Sequence, residues 1–381
     1  MKEKLLRISS YVLVAALATV ITLGMTQRVG TTKLDRLENL IQERYIGQAD
    51  PEKMEDAAAA AMVKATGDRW SYYIPASEYE AYREQSENAY VGVGITIQAQ
   101  EDDSGFLIVA VTQGGPAQEA GVEANDLLIA VEEQDVRGMT TDQVRQLIRG
   151  EAGTKVSVTV MRQGEHRTLS VERRRIESPV ATGEMLDGGI GLVKIDNFDE
   201  RCAQETVAVI EKLQREGAEK LIFDVRNNPG GYANELVELL DYLLPAGELF
   251  RSVSYDGKEQ VDTSDEKFLD MPMAVLINGN TYSAAEFFAA ALQEYEAAVI
   301  LGEPTVGKGV YQQTIDLGDG SAVALSTGKY FTPHGNSLTD VGVTPDVRID
   351  VDEETASAIY YGSCTVGDDP QIQAAMERLN Q

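Results

Sequence analysis

Histidine and cysteine are scarce in this chain of 381 residues. The two histidines, His166 and His334, leave few candidates for an imidazole base, and we interpret His334, in a predicted turn, as structural. Cysteine and histidine form no cluster with metal-ligand spacing, so we expect no metal and no cofactor. Cys202 and Cys364 are too few for a disulfide framework in a domain of this size, although they could pair outside the cytoplasm.

Basic residues are also in the minority. Lysine and arginine total 33 against 62 aspartates and glutamates, which gives a net charge of -29. Such a surface repels phosphate backbones, so we do not expect nucleic acid as a partner. The acidic residues are spread along the chain, as they are on a solvated surface, and do not form an acidic tail.

An uncharged apolar run occupies residues 8–26, close to the ~20 residues that cross a bilayer as a helix. The flank at residues 1–7 is basic, which predicts a cytoplasmic N-terminus and a chain that continues outside the cytoplasm. We therefore expect a single-pass anchor in the cell membrane, with the functional part extracytoplasmic. A cleaved signal peptide is the alternative, but no clear A-x-A site follows the run.

Three regions follow the apolar run. Residues 31–88 predict helices, since LDRLENLIQERY carries an apolar stripe at helical spacing, and these helices are candidates for homodimer contacts. Residues 89–176 predict a compact, strand-rich unit. Residues 177–381 alternate strands with helices, which predicts an α/β domain with a largely parallel sheet.

Two stretches of the last region read as a strand, a turn and a helix. In NNPGG, which ends at Gly231, paired glycines let backbone N–H groups point into space at a helix N-terminus, a natural anion site. Ser283 opens the helix predicted after NGNTY, where its Oγ is exposed and developing negative charge is favoured. Each pattern taken alone equally suits an ordinary turn or an N-cap serine.

Lys308 ends a stretch, GEPTVGK, that matches most of a phosphate-binding loop. The match ends at Gly309, where that loop has a serine or threonine for magnesium, and VYQQTI afterwards predicts a strand where the loop requires a helix. We therefore reject a nucleotide site and an ATPase. A lysine can act as a general base when burial brings its pKa from ~10.4 towards 7–8. The alternative is a surface lysine in a glycine turn.

The strand-rich unit resembles a PDZ domain. The resemblance is carried by GVGI at Gly92, Val93, Gly94 and Ile95, by GPAQEAG, by Asn125-Asp126 and by the helix end LIRG. PDZ domains bind a peptide C-terminus as an added strand, with its carboxylate held by a glycine-rich loop. The resemblance implies that Gly92 to Ile95 form that loop and that Val144 and Ile148 contact the peptide. Asn125 stands where this family usually has glycine, and asparagine tolerates the left-handed conformation.

Taken together, the stretches that contain Gly231, Ser283 and Lys308 resemble the C-terminal processing peptidases, also called tail-specific proteases. The resemblance is carried by NNPGG, then NxxTxSAxE, then GxxTxGKGxxQ, and downstream by STGKYFTPHG, GVTPD and DPQIQAAMERL. It covers residues 31–381. It implies an α/β protease core of the ClpP/crotonase-like kind, a mixed sheet with flanking helices, into which the PDZ domain is inserted.

The resemblance also implies roles for individual residues. Ser283 would be the nucleophile, Lys308 its general base, and Gln312 the residue that orients the lysine. A Ser–Lys pair can perform acyl transfer without histidine. The S-x-x-K spacing of penicillin-binding enzymes is absent at Ser283.

The same resemblance implies an oxyanion hole and a route of regulation. The backbone at Gly230 and Gly231, with the N–H of Ala284, would hold the oxyanion. Arg149, at the end of the PDZ helix, is the candidate for signalling between the domains, and a surface salt bridge is the alternative.

These patterns predict a membrane-anchored serine endopeptidase that cleaves proteins with exposed apolar C-terminal tails. Access to the serine would be controlled by the PDZ domain. The alternative function is a non-catalytic PDZ scaffold that binds protein C-termini. Intact Ser283, Lys308 and Gln312 disfavour it, since a scaffold has no need of all three.

Overall fold

The computed structural model describes residues 32–100 and 102–381. The basic flank at 1–7 and the apolar segment at 8–26, which we predicted to be a membrane anchor, lie outside the described residues. Within the described part, no helix combines the length and the apolar character needed to cross a bilayer.

The elements of the described residues are numbered here in chain order. The helices are α1 (Lys33–Arg44), α2 (Pro51–Lys64), α3 (Ala76–Ser86), α4 (Pro116–Glu119), α5 (Thr141–Ile148), α6 (Cys202–Glu216), α7 (Ala233–Leu243), α8 (Ala284–Glu294), α9 (Glu353–Tyr360) and α10 (Pro370–Leu379). The strands are β1 (Tyr72–Ile74), β2 (Ala89–Gly92), β3 (Ile95–Ala99), β4 (Phe106–Val111), β5 (Leu127–Val131), β6 (Gln134–Asp135), β7 (Lys155–Arg162), β8 (Glu165–Glu172), β9 (Arg174–Glu177), β10 (Ala181–Leu186), β11 (Ile190–Ile195), β12 (Lys220–Asp224), β13 (Gly247–Ser254), β14 (Glu259–Ser264), β15 (Met273–Ile277), β16 (Ala298–Gly302), β17 (Val310–Asp316), β18 (Ala322–Phe331) and β19 (Val347–Arg348).

The described residues up to Ala76, together with residues 314–325, form one compact unit. Helix α1 begins after Thr32, whose side chain accepts the N–H of Asp35 at 3.2 Å, an N-cap arrangement. Strand β1 pairs antiparallel with the first part of β18, with Tyr72 opposite Ala324. The region predicted to be helical therefore also contains a short strand, which the aromatic and β-branched residues of YYI favour.

Residues 77–313 and 326–381 form the other unit, which contains the strand-rich region. Strands β3, β4, β5, β7 and β8 form an antiparallel sheet in that order, and β3 is its edge strand. Alternating apolar residues of this sheet, among them Ile108, Leu128 and Val158, are buried together with Val144 of α5. Asn125 has a φ of 71°, so the predicted left-handed conformation is confirmed.

The α/β region is built on a six-stranded sheet in the order β10-β11-β12-β15-β16-β19. Only β10 runs antiparallel to its neighbour, so the predicted, largely parallel sheet is confirmed. Successive side chains of a strand point to opposite faces. Val193 belongs to the same buried cluster as Ile210 of α6 and Phe288 of α8, while Leu192 belongs to the cluster that contains Ile372 of α10. Helices cover both faces, which explains the nearly continuous apolar strands.

The carboxyl ends of β12, β15 and β16 lie side by side in this sheet. Strand β12 leads into NNPGG, β15 leads to Ser283, and β16 leads to Lys308. Parallel neighbours end at the same edge of a sheet, where α/β proteins form their sites. The sheet therefore brings together the three stretches that the sequence singled out.

A further strand pairing lies beside this edge. Strand β13 pairs antiparallel with β14 and with the later part of β18, where Ser252 lies opposite Tyr330. The Tyr330 side chain is buried against Phe250 and against Phe287 of α8, with centroid distances of 5.4 and 4.4 Å. This packing places the Tyr330 ring at the start of helix α8.

Candidate active site

Ser283 forms the tight turn between β15 and α8. Its φ of 60° and ψ of -129° are unfavourable for a residue with a side chain, at a cost of ~1–3 kcal/mol that the surroundings must offset. Its Oγ lies 2.9 Å from the Tyr330 hydroxyl. Helix α8 begins at the next residue, so the positive end of its dipole lies beside this serine. A strained serine at a strand-to-helix turn is typical of a nucleophile.

The carboxylate of Glu286, in the first turn of α8, joins the serine turn to the lysine loop. One oxygen accepts the N–H of Ser283 and the N–H of Lys308, both at 2.9 Å. The other accepts the N–H of Gly307 at 2.7 Å and the hydroxyl of Thr305. Glu286 is completely buried, so these donors replace the water that a carboxylate requires.

Lys308 and Gln312 each have a described side-chain neighbour. The Nζ of Lys308 lies 5.9 Å from the centroid of the ring of Tyr282, the residue before Ser283. The amide of Gln312 donates to the Oγ of Ser326 at 2.9 Å. Gln312 lies on β17, so the strand predicted after Lys308 is confirmed and the phosphate-loop interpretation fails on structure as well.

Gly230 of NNPGG lies against Ser283. A Cβ on Gly230 would lie 2.7 Å from the Cβ of Ser283 and 2.8 Å from the N of Ala284, and its φ is +86°, so this position requires glycine. The Gly230 N–H donates to the side chain of Asn228 at 2.8 Å. Among the described residues, the N–H groups of Gly231 and Ala284 have no acceptor. Of the three predicted oxyanion residues, Gly230 therefore uses its N–H within the loop. The N–H groups of Gly231 and Ala284 are available to donate to an oxyanion.

Asparagines hold the NNPGG loop in place. The buried Asn228 donates to the carbonyl of Ile195 at 2.8 Å. The side-chain oxygen of Asn227 accepts the amides of Asn278 and Asn280, both at 3.0 Å. The loop before the serine and the glycine loop are thus tied together through side-chain amides.

A buried ion cluster supports the base of the same loop. Arg226 contacts Asp224 at 2.6 Å and Asp369 at 2.8 Å, and it donates to Gln371 at 2.9 Å. These side chains lie almost entirely out of solvent. Because Asp369 and Gln371 lie at the start of α10, the cluster fixes the end of β12 to the C-terminal helix.

Asp199 is an ionisable group beside the glycine loop, where the Gly231 backbone approaches the Phe198–Asp199 peptide. Burial, and to a lesser degree the neighbouring Glu200 and Glu235, raise the pKa of Asp199 to about 7. Its charge also contributes to raising the pKa of Tyr282, mainly a burial effect. Asp199 therefore changes its charge near neutral pH beside the candidate site.

The predicted peptide-binding residues lie in the strand-rich region. The loop from Gly92 to Ile95 leads into the edge strand β3, and the carbonyls of Val93 and Gly94 accept backbone N–H groups at 2.9 Å. Val144 and Ile148 of α5 are buried in the core of this region. The edge of β3 is thus available for an added strand, whereas these two side chains contribute mainly to packing.

Arg149 forms an ion pair with Glu84 of α3 at 3.4 Å. The Glu84 carboxylate also accepts the N–H of Val91 at 3.1 Å, immediately before the loop that starts at Gly92. Arg149 is therefore connected, through one carboxylate, to the strand that enters the predicted peptide-binding loop.

His334 and the two cysteines have contacts other than those described for the candidate site. The backbone N–H of His334 donates to Glu294 at 2.7 Å, and the imidazole is exposed. Both cysteines are free thiols, and burial raises the pKa of Cys202 well above its usual range.

Sequence reasoning missed two residues of the site. Glu286 had a local signal, since a glutamate three residues after a helix-capping serine is the capping-box pattern. Tyr330 lies in STGKYFTPHG, one of the stretches that carry the resemblance, but no local pattern there shows that it meets Ser283. Only the pairing of β18 with β13 brings it to the serine.

Known families and proteins resemble this chain in sequence and in fold. Residues 189–349 match peptidase family S41, and residues 107–162 match a PDZ domain. The chain is 31% identical over 367 residues to the carboxy-terminal processing protease CtpA of Bacillus subtilis, covering 92% of this chain and 78% of the relative. It is 28% identical over 354 residues to a CtpA-like serine protease of Staphylococcus aureus (strain N315), covering 91% and 71%. A solved S41 protease from Bacteroides fragilis has a similar fold, with a TM-score of 0.53 at 16% identity over 90% of this chain and 96% of that one.

Proposed function

The chain belongs to peptidase family S41 and is a serine-type peptidase, and on that premise we propose that it cleaves proteins recognised through their C-terminal tails. Ser283 is the proposed nucleophile and Lys308 the general base. The observation that carries this assignment is the Glu286 carboxylate, one oxygen of which accepts the N–H groups of both residues. Family membership favours this enzyme over a non-catalytic scaffold.

The proposed reaction uses these groups in two steps. The neutral amine of Lys308 accepts the Oγ proton as Ser283 attacks the carbonyl carbon, and the N–H groups of Gly231 and Ala284 stabilise the oxyanion. The lysine then gives the proton to the leaving amine, and an acyl-enzyme remains. Water attacks the ester carbonyl carbon while the same lysine accepts the water's proton. The bond to Oγ then breaks, the lysine returns that proton to Oγ, and the acid product leaves with the serine regenerated. Gln312, itself held by Ser326, is assigned to orient the lysine.

Access to the serine is assigned to the PDZ region. A substrate tail would add a strand at the edge of β3, with its carboxylate at the Gly92 to Ile95 loop. That carboxylate would approach the Glu84 to Val91 hydrogen bond and thereby the Arg149 to Glu84 ion pair. Repulsion between the two carboxylates would weaken the pair, which makes Arg149 the proposed sensor of a bound tail.

We further propose that residues 8–26 anchor the chain in the cell membrane and that α1 contributes to a homodimer. Leu34, Leu37 and Leu40 of α1 are each about half exposed, at 45%, 52% and 47%. Cell fractionation, and light scattering of a Leu37→Ser variant in detergent, test these two assignments. A soluble full-length chain would contradict the first, and an unchanged oligomer the second.

The peptidase proposal is tested with full-length protein and an unfolded substrate that carries an apolar C-terminal tail. We expect cleavage by the parent and none by Ser283→Ala or Lys308→Ala. Replacing the tail by a charged one should slow cleavage mainly through KM, because tail binding precedes chemistry. Cleavage that persists in Ser283→Ala would remove the nucleophile assignment.

A further inference from the structure

A cavity of about 610 Å³ opens between helix α7 and the facing strands β13, β14, β17 and β18. Tyr330 forms part of its wall, and the hydroxyl of the same residue contacts the Oγ of Ser283. We propose that this cavity binds the side chain of the substrate residue on the acyl side of the scissile bond, and that it selects a long side chain with a cationic end, lysine or arginine. This inference rests on the proposed peptidase function.

The start of α7 indicates which side of the bond the cavity serves. Gly231, whose N–H is an assigned oxyanion donor, is followed closely by Ala233, and Ala233 and Asn234 line the cavity. The oxyanion forms on the carbonyl of the acyl residue. When that carbonyl is bound at Gly231, the side chain of the same residue is the one nearest to the cavity.

The apolar part of the cavity suits an aliphatic stem. Phe250, Tyr311 and Tyr330 line it, and the two tyrosine rings are stacked with their centroids 6.1 Å apart. Burial raises the pKa of Tyr330 well above its usual range, so the Tyr330 side chain stays uncharged near neutral pH. Lysine and arginine stems pack along such rings, and ring faces attract their cationic ends.

Besides these aromatic residues, the strands that line the cavity carry polar residues where packing against a helix calls for apolar ones. Alternate residues of a strand share a face, and the cavity face of β14 carries Gln260 and Asp262. Ser252 on β13 and Gln313 on β17 likewise line the cavity, each two residues after an aromatic residue. A sheet face of this composition stays open to a polar-ended ligand, because closing it against α7 would bury polar groups without partners.

The charged side chains that line the cavity are all acidic. They are Glu238 and Asp241 on α7 and Asp262 on β14. Local hydrogen bonds hold two of them, since Asp241 accepts the N–H of Asp265 at 3.0 Å and Asp262 accepts the amide of Gln260 at 2.9 Å. The cavity has an aromatic wall that includes Tyr330, whose hydroxyl contacts Ser283, and its charged groups are carboxylates. Such a lining is complementary to an alkyl chain with a terminal cation.

The test uses full-length protein and a series of peptides that share one apolar C-terminal tail. Only the residue on the acyl side of the cleaved bond varies: lysine, arginine, or norleucine, which has an uncharged stem of similar length. Mass spectrometry locates the cleaved bond. We expect kcat/KM for lysine and arginine to exceed that for norleucine by about tenfold, the ratio that ~1.4 kcal/mol supplies.

Charge variants of the cavity test the cause of this preference. In Asp241→Asn/Asp262→Asn, we expect the lysine-to-norleucine ratio to fall to about one, because each carboxylate lost weakens the attraction to the cation. The matched control is Glu266→Gln/Asp270→Asn, which removes the same charge from residues that do not line the cavity and should keep the ratio. If circular dichroism shows that the cavity double variant is unfolded, we replace it by Glu238→Gln, since the Glu238 side chain is exposed.

The peptide series and the variants distinguish a failure of the cavity assignment from a failure of the proposed peptidase function. Equal cleavage after lysine and norleucine by the parent, or a preference that survives loss of the carboxylates, overturns the inference and leaves the peptidase intact. Cleavage of every peptide at a level no higher than that of Ser283→Ala would overturn the peptidase itself.

Discussion

The hydroxyl of Tyr330 lies 2.9 Å from the Oγ of Ser283, although 47 positions separate the two residues in the chain. The Tyr330 ring is held in place by Phe250 and Phe287, and it is 4% exposed. A buried hydroxyl at this distance can restrict the rotamer of the Ser283 side chain. We therefore expect Tyr330 to position the proposed nucleophile, in addition to lining the cavity.

Replacing Tyr330 by phenylalanine should lower kcat. The ring and its packing remain, but the hydrogen bond that directs Oγ is lost, at a cost of ~1 kcal/mol, or about fivefold in rate. We expect kcat to fall by that factor with KM nearly unchanged, in steady-state cleavage of the tailed substrate. An unchanged kcat would show that the hydroxyl does not direct the nucleophile.

Replacing Glu286 by glutamine should inactivate the enzyme. The amide would keep one acceptor oxygen but would turn an NH₂ group towards N–H or O–H donors, leaving buried groups unpaired at ~1–3 kcal/mol each. We expect a loss of at least ~100-fold in kcat/KM together with a lower melting temperature.

A matched control lies on the same helix. Glu294 accepts the hydroxyl of Thr332 at 2.6 Å and the N–H of His334 at 2.7 Å, at the opposite end of α8 from Ser283. Glu294→Gln should lose stability but keep most of its activity per folded molecule. Equal activity losses in the two variants would contradict a specific role for Glu286.

Replacing Arg226 by methionine should destabilise the protein strongly. The change leaves Asp224 and Asp369 buried without their cation, and breaking such a cluster costs about 3–5 kcal/mol. Arg348→Met is the control, since its ion pair with Asp350 is exposed and contributes less than about 1 kcal/mol. Urea unfolding measures both changes, and similar effects would show that the Arg226 cluster does not fix the loop.

The ionisation of Asp199 should appear in the pH dependence of stability. Its pKa is about 7 in the folded chain and about 3.9 when unfolded, so the folded state keeps a proton that the unfolded state loses as pH rises from 4 to 7. This contribution to the free energy of unfolding is present below pH 4 and is lost as the pH rises to 7.

Asp199→Asn removes that loss, because the amide does not ionise. We expect the variant's stability, relative to the parent, to increase across this window by on the order of 2–4 kcal/mol and to level off above pH 7. Urea unfolding at pH 4, 5.5, 7 and 8 measures the difference. A difference that is constant with pH would mean that Asp199 ionises normally in the folded chain.

Much of the framework could be predicted from local pattern. Helix α6 ends at Glu216, and Gly217 after it has the left-handed conformation that a glycine at that position predicts. The alternation of apolar strands with helices predicted a largely parallel sheet. Gly309, together with the strand predicted after it, excluded a phosphate-binding loop. The region before the PDZ domain was predicted less well, because the short strand β1 exists only through its pairing with β18.

By itself the sequence determined the order of elements, the residue types available for chemistry and the turns that present them, because periodicity, capping and glycine preferences act over a few residues. Tertiary structure alone decided which distant groups meet. Four donors converge on Glu286, Gly230 packs against Ser283, and Tyr330 reaches Oγ, through sheet order and strand register. Register depends on the whole core, so no local pattern encodes these contacts.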